Sequence, residues 1–312
     1  METTLSPSEL NSVSSVDEKP SALVRAWKIL KRRPMSLLGI ALIGSFFLVA
    51  VFAPVLAPPA PKSRDAYLIP QAGYSPDPVR PSAAHRFGTT EQQFDLYYGM
   101  VWGTRTAFRV ALSVVVTSLI IGVLMGAVAG FYGGWVDEAI MRFTDIMLAF
   151  PDMVLAVVIV AVRGPSLHNV MVAVTVVSWP SYARLLRGDV LSLKERDFVL
   201  AARALGASDA RILLRHIIPN AIYPVLVVAS LSMGRIVITA AALSFLGLGA
   251  PVGYADWGQL ISLSRNWILG SSGNPFEFWH TVFIPGFTIF LFVLGWNLLG
   301  DAVRDILDPR QK

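Results

Sequence analysis

Apolar positions in this chain gather into long runs instead of alternating stripes. Residues 35–57 read MSLLGIALIGSFFLVAVFAPVLA and carry no charge. A second run covers 110–132 and closes on GAVAGFY. A third, 146–162, is interrupted by Pro151 and Asp152. A fourth, 170–183, is short and ends beside Arg184 and Arg187, long side chains that can snorkel to a polar surface. A fifth, 217–248, contains Pro224 and Arg235, and a sixth covers 281–300. A bilayer core takes roughly 20 apolar residues as helix. The pattern therefore predicts an all-α integral membrane protein with six transmembrane helices. Helices follow because unpaired backbone groups are too costly in lipid. No run alternates with period two, which argues against a β-barrel. The first run exceeds the ~7–15-residue core of a cleaved leader and follows a polar segment, so it reads as a retained span.

Composition supports this class. Of 312 residues, 54% are hydrophobic and only 15% charged, whereas soluble domains carry about a quarter charged residues. The net charge of +5 comes from basic residues that flank apolar runs. That arrangement points to membrane topology and away from nucleic acid, which needs a clustered basic face. Arg25, Lys28, Lys31, Arg32 and Arg33 precede the first run; Arg184, Arg187, Lys194, Arg196, Arg203, Arg211 and Arg215 separate the fourth and fifth. Only Arg265 lies between the fifth and sixth. The positive-inside rule then predicts cytoplasmic termini and a cytoplasmic 184–217 segment. The 58–105 segment also carries basic residues, but long loops obey the rule less well. The expected organisation is a largely disordered cytoplasmic tail (1–34), a first span (35–57) and an external loop (58–105). A five-span core (106–300) with a cytoplasmic loop at 184–220 and a short cytoplasmic tail (301–312) complete it.

That loop contains FVLAARALGASDARILLRHIIPN. Phe198, Val199, Ala201, Ala202 and Leu205 recur at helical spacing and form one apolar face. Gly206 is the residue type that ends a helix in the left-handed conformation. Ser208 suits the next N-cap, with Asp209 in the following first turn. A second helix over 209–218 then meets Pro219. The segment reads either as an interfacial helix lying on lipid or as a docking element that fits a groove on another protein.

The spacing resembles the EAA motif of permease subunits in ATP-binding cassette importers. That motif has a Glu-Ala-Ala triplet, a glycine, and a distant apolar stretch ending in proline. Ala201, Ala202, Gly206 and Pro219 match it, while Leu200 stands at the glutamate position. HRFGTTE, GGWVDEAIMRFTDIMLAFPD, WPSYARLLRGDVLSLKERDFVLAARALGAS, LSFLGLG and NLLGDAVRDILDPR are similar to the second permease subunit of dipeptide and oligopeptide importers, over roughly residues 30–310. The resemblance implies a multi-pass prokaryotic plasma-membrane subunit. Its partners would be a homologous second permease, two cytoplasmic ATPases that use ATP-Mg, and an external solute-binding protein. Phe198, Ala201, Ala202, Leu205, Gly206, Ala207, Ser208 and Pro219 would form the ATPase-coupling loop. Related permeases also import nickel chelates or oligosaccharides. The chain departs from the family at Gln92, Gln93 and Phe94 in the first external loop, and at Ala240, where an acidic residue is frequent.

No covalent chemistry is expected. No Gly-Lys dipeptide exists for a phosphate loop, and GFYGG reads as a turn. There are no cysteines, and His85, His168, His216 and His280 are scattered, so no metal or cofactor site is predicted. Arg235, Asp152 and Thr239 are the candidate residues of a translocation path, because intramembrane charges face cavities or partners. Counted along straight helices, Asp152 lies ~10 Å and Arg235 ~20–25 Å from the cytoplasmic side, which leaves a direct pair open. Trp179 and Trp296, near span ends, read as interfacial anchors. The glycines of GSFF, IGVLMGAVAG and SFLGLG read as close-packing positions. Two rival classes remain: a membrane-embedded enzyme, which needs convergent titratable groups, and a secondary transporter, usually built from repeats that are not seen here. Co-purification with an ATPase separates them from the importer reading.

Overall fold

The computed structural model describes residues 33–61, 63, 65–71, 73–267, 274 and 276–307. The expected tail 1–34 lies almost wholly outside these residues, as does the end of 301–312. Among the described residues the chain is helical, with isolated bridges pairing Leu68 with Tyr254, Gln71 with Phe94 and Thr89 with Asp95. The long helices are α1 (Pro34–Leu56), α2 (Leu96–Tyr132), α3 (Gly134–Ala149), α4 (Asp152–Arg163) and α5 (Leu167–Leu193). Then come the short α6 (Asp197–Ala204) and α7 (Asp209–Ile212), α8 (Ile218–Phe245), the short α9 (Trp257–Leu263) and α10 (His280–Leu307).

By length and hydropathy, four stretches can cross a membrane: α1, α2, Asp209–Phe245 and α10. The pair α3 and α4 adds a fifth if it is one span, although it bends by 91° at Phe150–Pro151. The fourth predicted run falls in α5, which carries too many polar residues to join them. Helix bounds also differ from the runs. α2 starts at Leu96 and not at 110, because Asp95 caps it: one carboxylate oxygen accepts from the Tyr98 N–H at 2.8 Å, and His85 Nδ1 lies 2.8 Å from the other. The opening turns of α2 are covered by protein. Trp102 Nε1 donates to the Ala57 carbonyl at 2.9 Å, and Thr106 Oγ1 donates to the Ala255 carbonyl at 2.7 Å.

The most extensive helix contact is between α2 and α5. Gly122, Gly126 and Gly130 recur every four residues, on one face of α2. A Cβ at Gly126 would stand 2.4 Å from the Ala183 carbonyl oxygen, and one at Gly122 would stand 2.9 Å from that of Trp179. The backbones therefore meet directly, as small residues permit in membranes. On the other side, Gly39 of α1 abuts the backbone of α10 at Leu298–Leu299, and Gly295 of α10 receives Ile43. An aromatic cluster of Phe46, Phe108, Trp257 and Phe292 then ties α1, α2, α9 and α10 together, with Phe108 and Phe292 5.1 Å apart at 81°.

Several glycine and tryptophan expectations change here. Gly44 of GSFF faces open space, and Gly247 of SFLGLG has φ +80 with nothing near it, so it ends α8 and packs nothing. Trp296 is buried in the aromatic cluster, and Trp179 is buried and stacked on Phe143 at 5.9 Å. Neither is an interfacial anchor: the neighbouring helices reach both rings before any headgroup could.

The seam makes a direct prediction. Gly126→Val should destabilise the purified protein by about 1–3 kcal/mol, the usual cost of overpacking. Gly188→Ala on the open side of α5, where a Cβ meets nothing within 4 Å, should instead stabilise it by about 0.5–1 kcal/mol, the cost of glycine inside a helix. A melting curve for each variant in detergent checks both.

Candidate functional site

Two groups of residues are the candidates: the loop that leaves α5, and a line of charge pairs that joins the α3–α4 element to α5 and α8. The first is the 184–220 loop. α6 ends in a Schellman motif: Ala207 N–H donates to the Ala202 carbonyl at 3.1 Å and Gly206 N–H to the Arg203 carbonyl at 3.0 Å. Gly206 takes φ +78, where a Cβ is strained. The expected helix–glycine–helix is present. The apolar face, however, is divided. Val199 is fully buried, and Ala202 and Ala207 pack on the core made by α2, α5 and α8. Phe198, Ala201 and Leu205 point outward at i, i+3 and i+7, and Leu205 is 88% exposed. Leu200 is exposed beside them. One continuous face was expected; in the fold its Val199–Ala202 edge is the attachment and the rest is free.

Ser208 occupies the N-cap of α7, but its side chain makes no capping bond; its carbonyl accepts the Ile212 N–H at 2.9 Å. The predicted helix 209–218 also changes character. After Ile212 it widens into a π-helical turn, Leu213–Ile217, before α8 starts. Pro219 has no N–H to give the preceding turn. The Ile218 N–H reaches back to the Leu213 carbonyl, and Asn220 Nδ2 donates to the His216 carbonyl at 2.6 Å. Ile212 and Ile217 are fully buried, so the loop is fastened to the start of α8 as one piece.

The second group is a line of charge pairs along the α3–α4 element. Asp137 takes a bidentate contact from Arg187 (Nη2 to Oδ2 2.5 Å), Asp145 pairs with Arg184, and Asp152 accepts from Arg235 Nη1 at 3.0 Å. The Asp152–Arg235 pair is therefore formed. Depth counted along straight helices had separated these residues; the 91° break at Pro151 brings the Asp152 end of α4 across to α8. Asp152 and Arg235 remain 43% and 54% exposed, so the pair lines an open surface. Thr239 is spent on its own helix, donating to the Arg235 carbonyl at 3.0 Å. Asp137 and Asp145 were not singled out from sequence. Arg184 and Arg187 were read as snorkelling cations, whereas here both are paired. The signal was available: Asp137, Asp145 and Asp152 recur about every two helical turns, opposite a basic end of α5. Among the described residues no group of acidic or histidine side chains is arranged to hold a metal ion.

Comparison with known proteins supplies the context. The family described as binding-protein-dependent transport system inner membrane component matches residues 118–312, and the N-terminal TM domain of oligopeptide transport permease C matches residues 21–74. The chain is 42% identical over 287 residues to the dipeptide transport system permease protein DppC of Alkalihalophilus pseudofirmus, covering 92% of this chain and 90% of that one. It is 40% identical over 232 residues to the glutathione transport system permease protein GsiD of Pectobacterium atrosepticum, covering 74% of this chain and 75% of that one.

If Asp152 and Arg235 hold each other, removing either partner should destabilise the protein more than exchanging both. Asp152→Ala leaves a guanidinium without its counter-charge, and Arg235→Ala does the converse. The charge-swapped double variant, Asp152→Arg with Arg235→Asp, should recover most of the stability. A double-mutant cycle on melting temperature should give a coupling of roughly 0.2–1 kcal/mol, the range for a solvent-exposed pair; strict additivity would show that the pair contributes nothing.

Proposed function

The chain belongs to the family of binding-protein-dependent transport system inner membrane components, and on that premise we propose how it sits in the membrane, what it carries and how it is driven. It is a permease subunit of an ABC importer and not itself an enzyme; ATP hydrolysis belongs to separate subunits. In the proposed arrangement α5 is the sixth span, beside the four apolar stretches and the bent α3–α4 pair. Both termini and the 184–220 loop are cytoplasmic, and the 58–95 and 249–279 segments are external. The basic residues around the loop support that orientation. The partners are one homologous permease, two ATPases that use ATP-Mg, and an external binding protein.

The proposed cargo is a small peptide. The two relatives carry dipeptide and glutathione in their names, and both solutes present a free carboxylate. Arg235 suits such a group, and its present partner Asp152 is itself a carboxylate. The proposed step is an exchange: the passing carboxylate displaces Asp152 from Arg235, and the pair re-forms behind it. Alternating access of the two permeases would open the path first to one side and then to the other.

The proposed coupling element is α6 with its glycine turn. The observation that carries it is the divided face of that helix, with Val199 fully buried against the permease core and Leu205 88% exposed. A motion imposed on the exposed half has a rigid route through Ile212 and Ile217 to α8, and α8 carries Arg235.

Three outcomes follow. Gly206→Val strains a left-handed position by about 1–2 kcal/mol; Leu205→Asp puts a charge on the docking face. Both should leave insertion intact and reduce ATPase retention on the purified permease pair, with uptake into binding-protein-supplied vesicles reduced accordingly. Normal retention and uptake in both variants would remove α6 from the coupling route. Arg235→Ala in an assembled importer should lower peptide uptake, and more so for solutes with a free carboxylate. For topology, single cysteines at Ser208 and Val252 should differ on intact cells: an impermeant maleimide should label only the second. Labelling at 208 alone would invert the chain.

A further inference from the structure

Arg105 is a charged side chain outside both sites. It lies on α2 at the end of a groove of about 680 Å³ between α1, α2 and α10. Its placement follows from Pro54. Pro54 has no N–H, so the Ala50 carbonyl one turn earlier loses its normal donor. Arg105 Nε donates to that carbonyl, and Nη2 donates to Val51 O at 3.3 Å. The guanidinium also sits 5.0 Å above the Trp102 ring. Two of five N–H groups are thereby used. No carboxylate pairs with Arg105 among the described residues.

Below Arg105 the groove is apolar throughout. Its α1 wall runs from Val51 to Ile40, about 16 Å at the α-helical rise, and Trp296 and Leu299 of α10 form the floor. Phe47 and Leu112 on the rim are exposed. α1 is apolar on all sides and is mostly exposed along its length, so the groove opens sideways onto the surface that meets hydrocarbon. The depth fits a headgroup: Arg105 meets α1 at Ala50 and Val51, about 25 Å from Pro34 at the α-helical rise, near the far edge of a roughly 30 Å hydrocarbon core.

We propose that this groove is a binding site for an anionic phospholipid, with the phosphate on Arg105 and an acyl chain along α1. The charge decides the occupant. A fixed guanidinium with donors to spare at headgroup depth calls for a phosphate, which takes Arg through paired N–H contacts. The wall below it offers only van der Waals contact, which suits a hydrocarbon chain. A bound lipid would close the gap between α1 and α2 at the point where Pro54 has weakened α1. The leaflet, though not the site, rests on the orientation proposed above; in that orientation it is the outer one.

The test uses the whole importer, purified in dodecyl maltoside with either phosphatidylglycerol or phosphatidylcholine added. The wild type should be stabilised more by phosphatidylglycerol, and native mass spectrometry should show that lipid retained on the complex. Arg105→Gln keeps a donor for Ala50 but loses the charge, so it should abolish the preference. Gly44→Leu should abolish retention of both lipids, because Gly44 lines the groove and a Cβ there meets nothing within 4 Å. Its melting temperature without added lipid should stay that of the wild type, which separates filling from misfolding. Equal stabilisation by the two lipids, or an unchanged preference in Arg105→Gln, would overturn the proposal. So would efficient cross-linking of a cysteine at position 44 to the partner permease, which would put a protein helix in the groove. All these readouts are independent of uptake, so they stand or fall apart from the transport reading.

Discussion

The direct contact of the α2 and α5 backbones determines where the remaining elements can go. With no side chain at Gly122, Gly126 or Gly130, the two helices approach until Cβ atoms would collide with carbonyl oxygens. Lipid offers no hydrophobic gain for associating helices, so dispersion over a close interface has to hold them. That contact fixes α5 along its length. It therefore fixes Arg184 and Arg187 near its end, and these cations in turn anchor Asp145 and Asp137 of the bent α3–α4 element. It also fixes the point from which α6 departs. Val199 and Ile212 sink into the same core that Val190 and Leu186 of α5 help to build.

The opposite half of the molecule follows a different logic. α1 and α10 interlock through Gly39 and Gly295, and an aromatic cluster takes over where glycine ends. The two halves share α2 and α8. α8 is thus packed against α5 on one side and α10 on the other, while its Arg235 looks onto open surface. In the proposed mechanism α8 would move with the α5 side while Arg235 faces the path.

Much of this was legible in the chain. The apolar runs marked the long helices because hydrocarbon burial and hydropathy measure the same thing. The glycine of ALGAS marked its turn because only a residue without Cβ sits easily at φ +78. The run 170–183 gave a weak signal for α5, since that helix is buried among other helices and needs no lipid-facing surface. The start of α2 was missed because Asp95 caps a stretch whose contacts are with the segments that follow α1 and α8, such as Ala57, Ala66 and Ala255. Trp179 and Trp296 misled because proximity to a run's end says nothing about which helices are adjacent. Asp137 and Asp145 were missed for a related reason: their partners lie on another helix, and the break at Pro151 turns the chain by an angle that no local pattern contains.

The central claim is that the exposed half of α6, and not the membrane surface, is where the driving force enters. The chain contains no cysteine, so a single probe can be placed without background. A photoreactive maleimide attached to a single cysteine at position 205, with the labelled permease then assembled into the importer and returned to membranes, tests the claim most directly. The account predicts an adduct with the ATPase subunit, whose yield changes when ATP is bound. An adduct with lipid alone, unaffected by nucleotide, would contradict it.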